Sequence, residues 1–244
     1  MSTAKSYYNN GLSHYEKGQY ENAIADYTKA IELDPSKYLL YDRLLLSDIE
    51  TTMEGEFVFV KIGGIDWRVL DVKNNQALLL SELVLKANLY HSEDEYIKWK
   101  NCALRQYLNN DFYNKFSDND RSRIAKKTIP NKNNQWYGTP GGNDTTDNIF
   151  LLSLEEVIQY FGDSGRLKYP LNEKNKSYHY YLSDEFNDKR IAMGRSGLTN
   201  YWWLRSPGRN NDRAAYVNYE GHVIVSGDVV SEFGGVRPAL WLNL

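Results

Sequence analysis

The side chains able to do covalent or metal chemistry are few and scattered. One thiol, Cys102, stands at the start of a predicted helix, CALRQYLNN, and a helix N-terminus can lower a thiol pKa. No second thiol exists and no histidine is close to it in sequence, so Cys102 reads as a small buried hydrophobe. His14, His91, His179 and His222 share no metal-ligand spacing. The chain carries no phosphate loop, dinucleotide fingerprint or nucleophile elbow. The stretch GGNDTTDN offers Asp144, Asp147 and Asn148, which could supply oxygen ligands to a hard cation, but it reads better as a solvated turn that caps the next strand. HSEDE, at His91 to Glu95, reads as a solvated acidic loop. No catalytic residue, metal site or cofactor is expected.

Recognition chemistry is better represented, near the C-terminus. In HVIVSG, if Val223 and Val225 face inward, period two sends His222, Ile224 and Ser226 to the opposite side. Arg209, Asn211, Tyr219, Asp228, Ser231 and Phe233 fall near the adjoining turns. Tyr with Ser, Asn and Gly is the composition of an adaptable contact surface. Trp202, Trp203 and Trp241 could stack on sugars or peptides, but Trp203 and Trp241 sit in apolar strands and fit a core. Arg205 and Arg237 are expected to bind internal carbonyls or carboxylates.

These residues need elements to hold them, and 244 residues suffice for two modest domains. With 29 basic and 32 acidic residues the net charge is −3, which gives no electrostatic footprint for a nucleic-acid backbone. No apolar run is long enough to span a bilayer, and the first residues lack a basic-then-apolar leader, so a cytoplasmic protein is expected, a phage particle being the other setting. Twenty Tyr and six Trp indicate a core built from rings more than from aliphatic bulk.

From Ala4 to Pro35 small and aromatic residues recur at helical spacing: Tyr7, Gly11, Gly18, Tyr20, Ala23, Tyr27, Ala30 and Pro35. AKSYYNNGLSHYEKGQYENAIADYTKAIELDP resembles one tetratricopeptide repeat, with His14 where that family usually has a large aromatic residue. The resemblance implies that Gly11 and Ala23 permit close helix packing and that Tyr20 and Tyr27 fill the gap. One repeat cannot bury its own apolar face. Lys37 to Glu50, the downstream domain or a second copy of the chain is expected to cover it. A role as spacer or dimer contact follows.

After Gly55 the pattern changes to period two and tight turns. FVFVKIGG, IDWRVLDV and QALLLSE read as antiparallel strands turning at Gly63-Gly64 and at Lys73-Asn74-Asn75. ALRQYLNNDFYNKF places Leu104, Tyr107, Leu108, Phe112 and Phe116 on one helical face, and Thr128 to Asn148 reads as a long surface loop. NIFLL is a short strand, and SLEEV opens a helix through a capping box of Ser153 and Glu156. The chain ends in strands YWWLRS, RAAYVN, HVIVSG and GVRPALWLNL, with Gly221 and Gly227 at turns.

The block WWLRSPG, AAYVN and GVRPALWLNL, preceded by IDWRVLDV and ALLLSE, resembles a bacterial and phage domain family of unknown function. The resemblance implies a C-type-lectin-like fold in the form of formylglycine-generating-enzyme relatives, with the two ends of the domain pairing. Those enzymes rely on active-site cysteines, of which this chain has at most one. The Ca²⁺-ligating motifs of sugar-binding lectins are also missing. Some family members are variable proteins of diversity-generating retroelements, whose C-terminal region is rewritten. Adenine-directed mutagenesis of an AAC codon keeps the final C, which excludes Lys, Gln, Glu, Met and Trp from rewritten positions. Between Arg209 and Gly234 Lys, Gln, Met and Trp are absent, and only Glu220 and Glu232 fall outside the reachable set. An ordinary hairpin can lack them too.

The expectation is therefore an α+β chain: a helical hairpin with its cap over residues 1–50, then a C-type-lectin-like domain over 55–244 with a candidate variable region at 209–234. Its function is non-catalytic binding of a macromolecular ligand, with a homo-oligomer through the hairpin as a further option. The rival readings are an enzyme, or a structural phage or cell-envelope component, on the same fold.

Overall fold

A computed structural model of the chain describes residues 3–34, 51–54, 57–165 and 180–244. It is α+β and divides into two compact units, Met1–Val60 with Leu244, and Lys61–Asn243.

In the first unit helices α1 (Ala4–Glu16) and α2 (Tyr20–Leu33) form an antiparallel hairpin. The Thr3 side chain caps α1 by accepting from the Ser6 amide. The helices meet where residues are small. A Cβ on Gly11 would stand 2.7 Å from the Tyr27 ring, and Ala23 and Ala30 are buried. Tyr8 packs on Tyr27 with ring centroids 5.3 Å apart. Tyr20 departs from expectation: at the first turn of α2 it lies exposed, its ring edge to face with the equally exposed Tyr15 of α1 at 5.7 Å. Ile24 and Leu33 are exposed as well. The segment expected to cover this face, Lys37 to Glu50, lies outside the described residues, as does Pro35. Strands β1 (Thr51–Glu54) and β2 (Phe57–Ile62) pair antiparallel.

The second unit strings together β3 (Ile65–Lys73), β4 (Gln76–Ser81), β5 (Lys86–Leu89), β6 (Ile124–Ala125), β7 (Lys127–Ile129), β8 (Thr145–Asp147), β9 (Ile149–Phe150), β10 (Tyr181–Leu182), β11 (Ala192–Met193), β12 (Thr199–Asn200), β13 (Trp202–Pro207), β14 (Arg213–Val217), β15 (Val223–Val229), β16 (Phe233–Val236) and β17 (Ala239–Asn243). Strands β3 and β4 turn at Asn74 and Asn75, whose φ of 51° and 57° suit the right-handed twist of a tight hairpin. The last strand, β17, pairs antiparallel with β4, Trp241 opposite Leu78, and accepts β6 and β9 on its other side. A second sheet runs in the order β10-β15-β14-β13-β16-β5, with only β13 and β16 parallel. The Trp202 and Trp203 side chains and strand residues such as Leu78, Leu79 and Leu240 are fully buried.

Two local expectations change. The segment after Cys102 does not stay α-helical: Ala103–Tyr107 passes into a π-turn at Leu108–Phe112 and a 3₁₀ turn at Tyr113–Lys115. Leu104, Leu108, Phe112 and Phe116 are nevertheless all buried. Residues 128–148 are not a plain surface loop, because β7 and β8 close it into a ladder and Asn131, Asn134 and Asp147 are buried. The Asp147 carboxylate accepts from Trp99 Nε1 at 2.9 Å, Thr145 Oγ1 at 2.8 Å and Arg105 Nε at 2.7 Å. Its oxygens are therefore committed to the core and are not in a solvated turn.

Candidate functional site

The C-terminal hairpins rest on a layer of buried rings and guanidinium groups. Trp203 Nε1 donates to the Asn88 carbonyl at 3.2 Å, and Trp202 Nε1 donates to that of Arg190 at 3.1 Å. Arg205, 3% exposed, donates to the carbonyls of Leu151 at 2.7 Å and Pro130 at 3.2 Å and pairs with Glu156. Glu156 also closes the expected capping box with Ser153. Burial alone would push the Glu156 carboxyl up, but the Arg205 charge and the hydrogen bonds from Arg205 and Ser153 outweigh it and hold it below its ordinary value. Arg237 is fully buried and donates from Nε to the Ser81 carbonyl at 2.9 Å. Its guanidinium lies 5.0 Å from the Trp202 ring centroid, and burial, with the nearby Arg68 cation, pushes it down to about 9. Both arginines therefore hold the scaffold from inside, and Trp203 and Trp241 are core.

Cys102 is buried at the N-cap of the helix Ala103–Tyr107, its sulfur accepting from the Arg105 amide. Burial pushes the thiol up to about 12, so a thiolate does not form at neutral pH.

The nine candidate binding residues do not share one surface. Ser226 is 1% exposed, which overturns its outward placement. Between the pairs Ala214↔Asp228 and Tyr216↔Ile224, strand β15 runs two residues longer than β14, and the bulge breaks the alternation. The bulge depends on Gly227, at φ 71°, where a Cβ would come within 2.5 Å of the Ala214 carbonyl oxygen. Gly227 thus lies in a strand bulge, not in a turn. The distant Asn134 side chain donates to the carbonyls of Pro207 at 2.9 Å and Val225 at 3.0 Å. The Ser226 amide donates to Tyr180 O at 3.1 Å, and its carbonyl accepts from the Arg209 amide at 2.9 Å.

The other eight fall at different places on the sheet. At the end of β14 and β15 near residues 213 and 229, Arg209 and Asn211 line an open cleft of about 330 Å³ with Tyr96, Tyr137 and Pro140. Asn211 Nδ2 donates to the Pro140 carbonyl at 2.8 Å. Asp228 lies 3.7 Å from Arg213 there, and Ser231 follows in the turn to β16. At the opposite end, the 218–222 turn carries exposed Tyr219 and half-buried His222. His222 stacks on Tyr181, ring centroids 5.4 Å apart, and its Nε2 is 3.0 Å from Ser183 Oγ. Ile224 pairs with Tyr181 on the neighbouring strand. Phe233, 62% exposed, lies on β16 opposite Leu89, separated from β15 by β14 and β13.

Reasoning from the sequence missed Tyr96, Tyr137, Tyr181 and Ser183. Tyr96 follows an acidic loop that reads as solvent-facing, and the other three lie in irregular segments with no periodicity. Only the tertiary pairing of β10 with β15, and of the 130s loop with residue 209, brings them to the site.

A family model described as "Domain of unknown function (DUF6273)" matches residues 74–244, more than two thirds of the chain. The chain belongs to the DUF6273 family. The DUF6273 match starts in the β3–β4 turn and takes in every strand from β4 to β17, hence both the buried scaffold and the exposed hairpin ends. A tetratricopeptide repeat model matches residues 4–37, across both helices of the hairpin. No curated protein and no solved structure matches the chain. Among the described residues no helix is long and apolar enough to cross a membrane.

Proposed function

We propose that the DUF6273 domain is a non-catalytic binding module with a C-type-lectin-like fold. In this reading its C-terminal hairpin ends contact a macromolecular ligand, and their residues are diversified by a retroelement. The tetratricopeptide hairpin serves as a mount or as a contact between copies. The observation that carries the reading is the contrast within residues 209–234. Ala214, Ala215, Val217, Val223 and Val225 are fully buried, whereas Tyr219 and Phe233 are 56% and 62% exposed. Exposed aromatic anchors on a rigid sheet are what dominates interface energetics. The pairing of β17 with β4 agrees with a fold whose ends meet, and the amino-acid usage of 209–234 agrees with rewritten AAC codons.

The test is the gene. Codons for Arg209, Asn211, Tyr219, His222, Ile224, Asp228, Ser231 and Phe233 should end in C far more often than those of the buried strand residues, and a near-copy of the segment should lie close by. Absence of both sinks diversification and leaves an undiversified binding domain.

A second reading, an acyl-transfer enzyme on the same scaffold, draws on one geometry. Ser183 Oγ lies 3.0 Å from His222 Nε2, and Glu220 Oε2 lies 3.4 Å from His222 Nδ1. With the Nδ1 proton turned to the carboxylate, Nε2 is free to accept from the serine hydroxyl, the order of groups that activates a nucleophile. Asn187 Nδ2 also donates to Ser183 Oγ at 3.0 Å. A fluorophosphonate probe decides it: labelling lost in both Ser183→Ala and His222→Ala supports the enzyme, and no labelling of the intact protein removes it.

A further inference from the structure

We propose a separate binding site, for a small aromatic phosphate, in the cavity between the Gly63-Gly64 turn and the helical segment that ends at Phe116. The cavity measures about 330 Å³, the lower end of the range for small-molecule sites. Its apolar wall is made by Phe112 and Phe116, both buried and packed edge to face at 5.5 Å, with Tyr107 beside them. Its rim carries Lys86, Lys115 and Arg195, all exposed.

The charges around this cavity are unbalanced. No carboxylate lines it, and none of the three cations has an ion-pair partner among the described residues. In a chain with 32 acidic and 29 basic residues, a wall of three unopposed cations departs from the mixed-sign surface such a composition would scatter. Lys86 Nζ stands 4.5 Å and Lys115 Nζ 6.0 Å from the centroid of the same Tyr107 ring. The ring's quadrupole attracts both ammonium groups, and their mutual repulsion rises as they converge. An anion with several oxygens relieves that repulsion by bridging them, and Arg195 adds a planar fork suited to phosphate. The phenyl rings behind the cations call for a planar apolar body on the same ligand. Either half alone leaves part of the site unused. The site lies on β5, the Gly63-Gly64 turn and residue 195, outside residues 209–234, and does not depend on the reading of that surface.

Phenyl phosphate is the probe, with inorganic phosphate and phenol as controls, each titrated into the ¹⁵N-labelled full chain. Saturable shifts of the Gly63 and Gly64 amides are expected with phenyl phosphate below about 10 mM, at least about tenfold tighter than with either control. Lys86→Gln combined with Lys115→Gln should weaken that binding about tenfold or more while the melting temperature stays near that of the parent, because exposed positions carry little stability. The proposal is overturned if phenyl phosphate produces no saturable shift. It is equally overturned if inorganic phosphate binds as well as phenyl phosphate, or if the double variant binds unchanged.

Discussion

Two sets of residues from the same C-terminal strands and turns differ in how they meet solvent. Trp202, Trp203 and Arg237 are fully buried, each with a backbone carbonyl accepting from its side chain. Tyr219 and Phe233 lie mostly in water on the hairpins those residues support. Arg205 belongs to the first set and Asp228, with 43% of its side chain exposed, to the second. Under the proposed reading, the difference would let such a hairpin keep its floor while its ends change. Change on the floor leaves a cavity or an unpaired buried group, whereas change at exposed end residues such as Tyr219 and Phe233 mainly alters contacts with water.

The largest effect expected is on the floor. Trp203→Ala should cost about 3–5 kcal/mol in chemical denaturation, the range for a large ring removed from a packed core. A loss below about 1 kcal/mol would show that the floor yields and would end the contrast. Next come two positions inside 209–234 that the structure places with the floor. A Cβ on Gly234 would sit 2.2 Å from Trp203 Nε1, so Gly234→Ala should cost about 1–3 kcal/mol. Ser226→Tyr should fall in the same range of about 1–3 kcal/mol, because the residue is buried. If both variants melt like the parent, the boundary between floor and ends is drawn in the wrong place.

A smaller effect is confined to acid. Glu156 is held below its ordinary value of 4.5, so its ionised form stabilises the fold above that pH. The contribution drains away as the pH falls through the lowered folded value. Glu156→Gln should therefore lower stability near neutral pH and flatten the acid limb of a melting-temperature profile, and parallel limbs in the two proteins would refute the pairing. The smallest effect is at the ends. Tyr219→Ala and Phe233→Ala should each stay within about ±0.5 kcal/mol, measured by the same denaturation. A larger loss from either would mean that the ring belongs to the fold and is not free to vary.

Much of the molecule follows from local pattern. The tetratricopeptide spacing, the Asn74-Asn75 hairpin, the capping box of Ser153 and Glu156, and the final strands can all be read directly, since each depends on neighbours within a few residues. The interior roles of Arg205 and Arg237 are legible because a cation in an apolar stretch of sequence must find acceptors. Asp147 is not legible that way: its sequence neighbours suit a solvated turn, but Trp99 and Arg105, more than forty positions away, claim its oxygens. The cationic cavity also gave no local sign, since Lys86, Lys115 and Arg195 come from three separate segments.

Sequence alone thus determined the α+β class, the order of hairpin and sheets, and the core placement of Trp203 and Trp241. Which residues of 209–234 face water was decided only in three dimensions. Period two would expose Ser226, but Asn134 holds the Val225 carbonyl, the Arg209 amide binds that of Ser226, and Gly227 turns the strand into a bulge. Alternation is a property of one strand's backbone, while a bulge is set by the partners that satisfy its carbonyls, and those partners come from far along the chain.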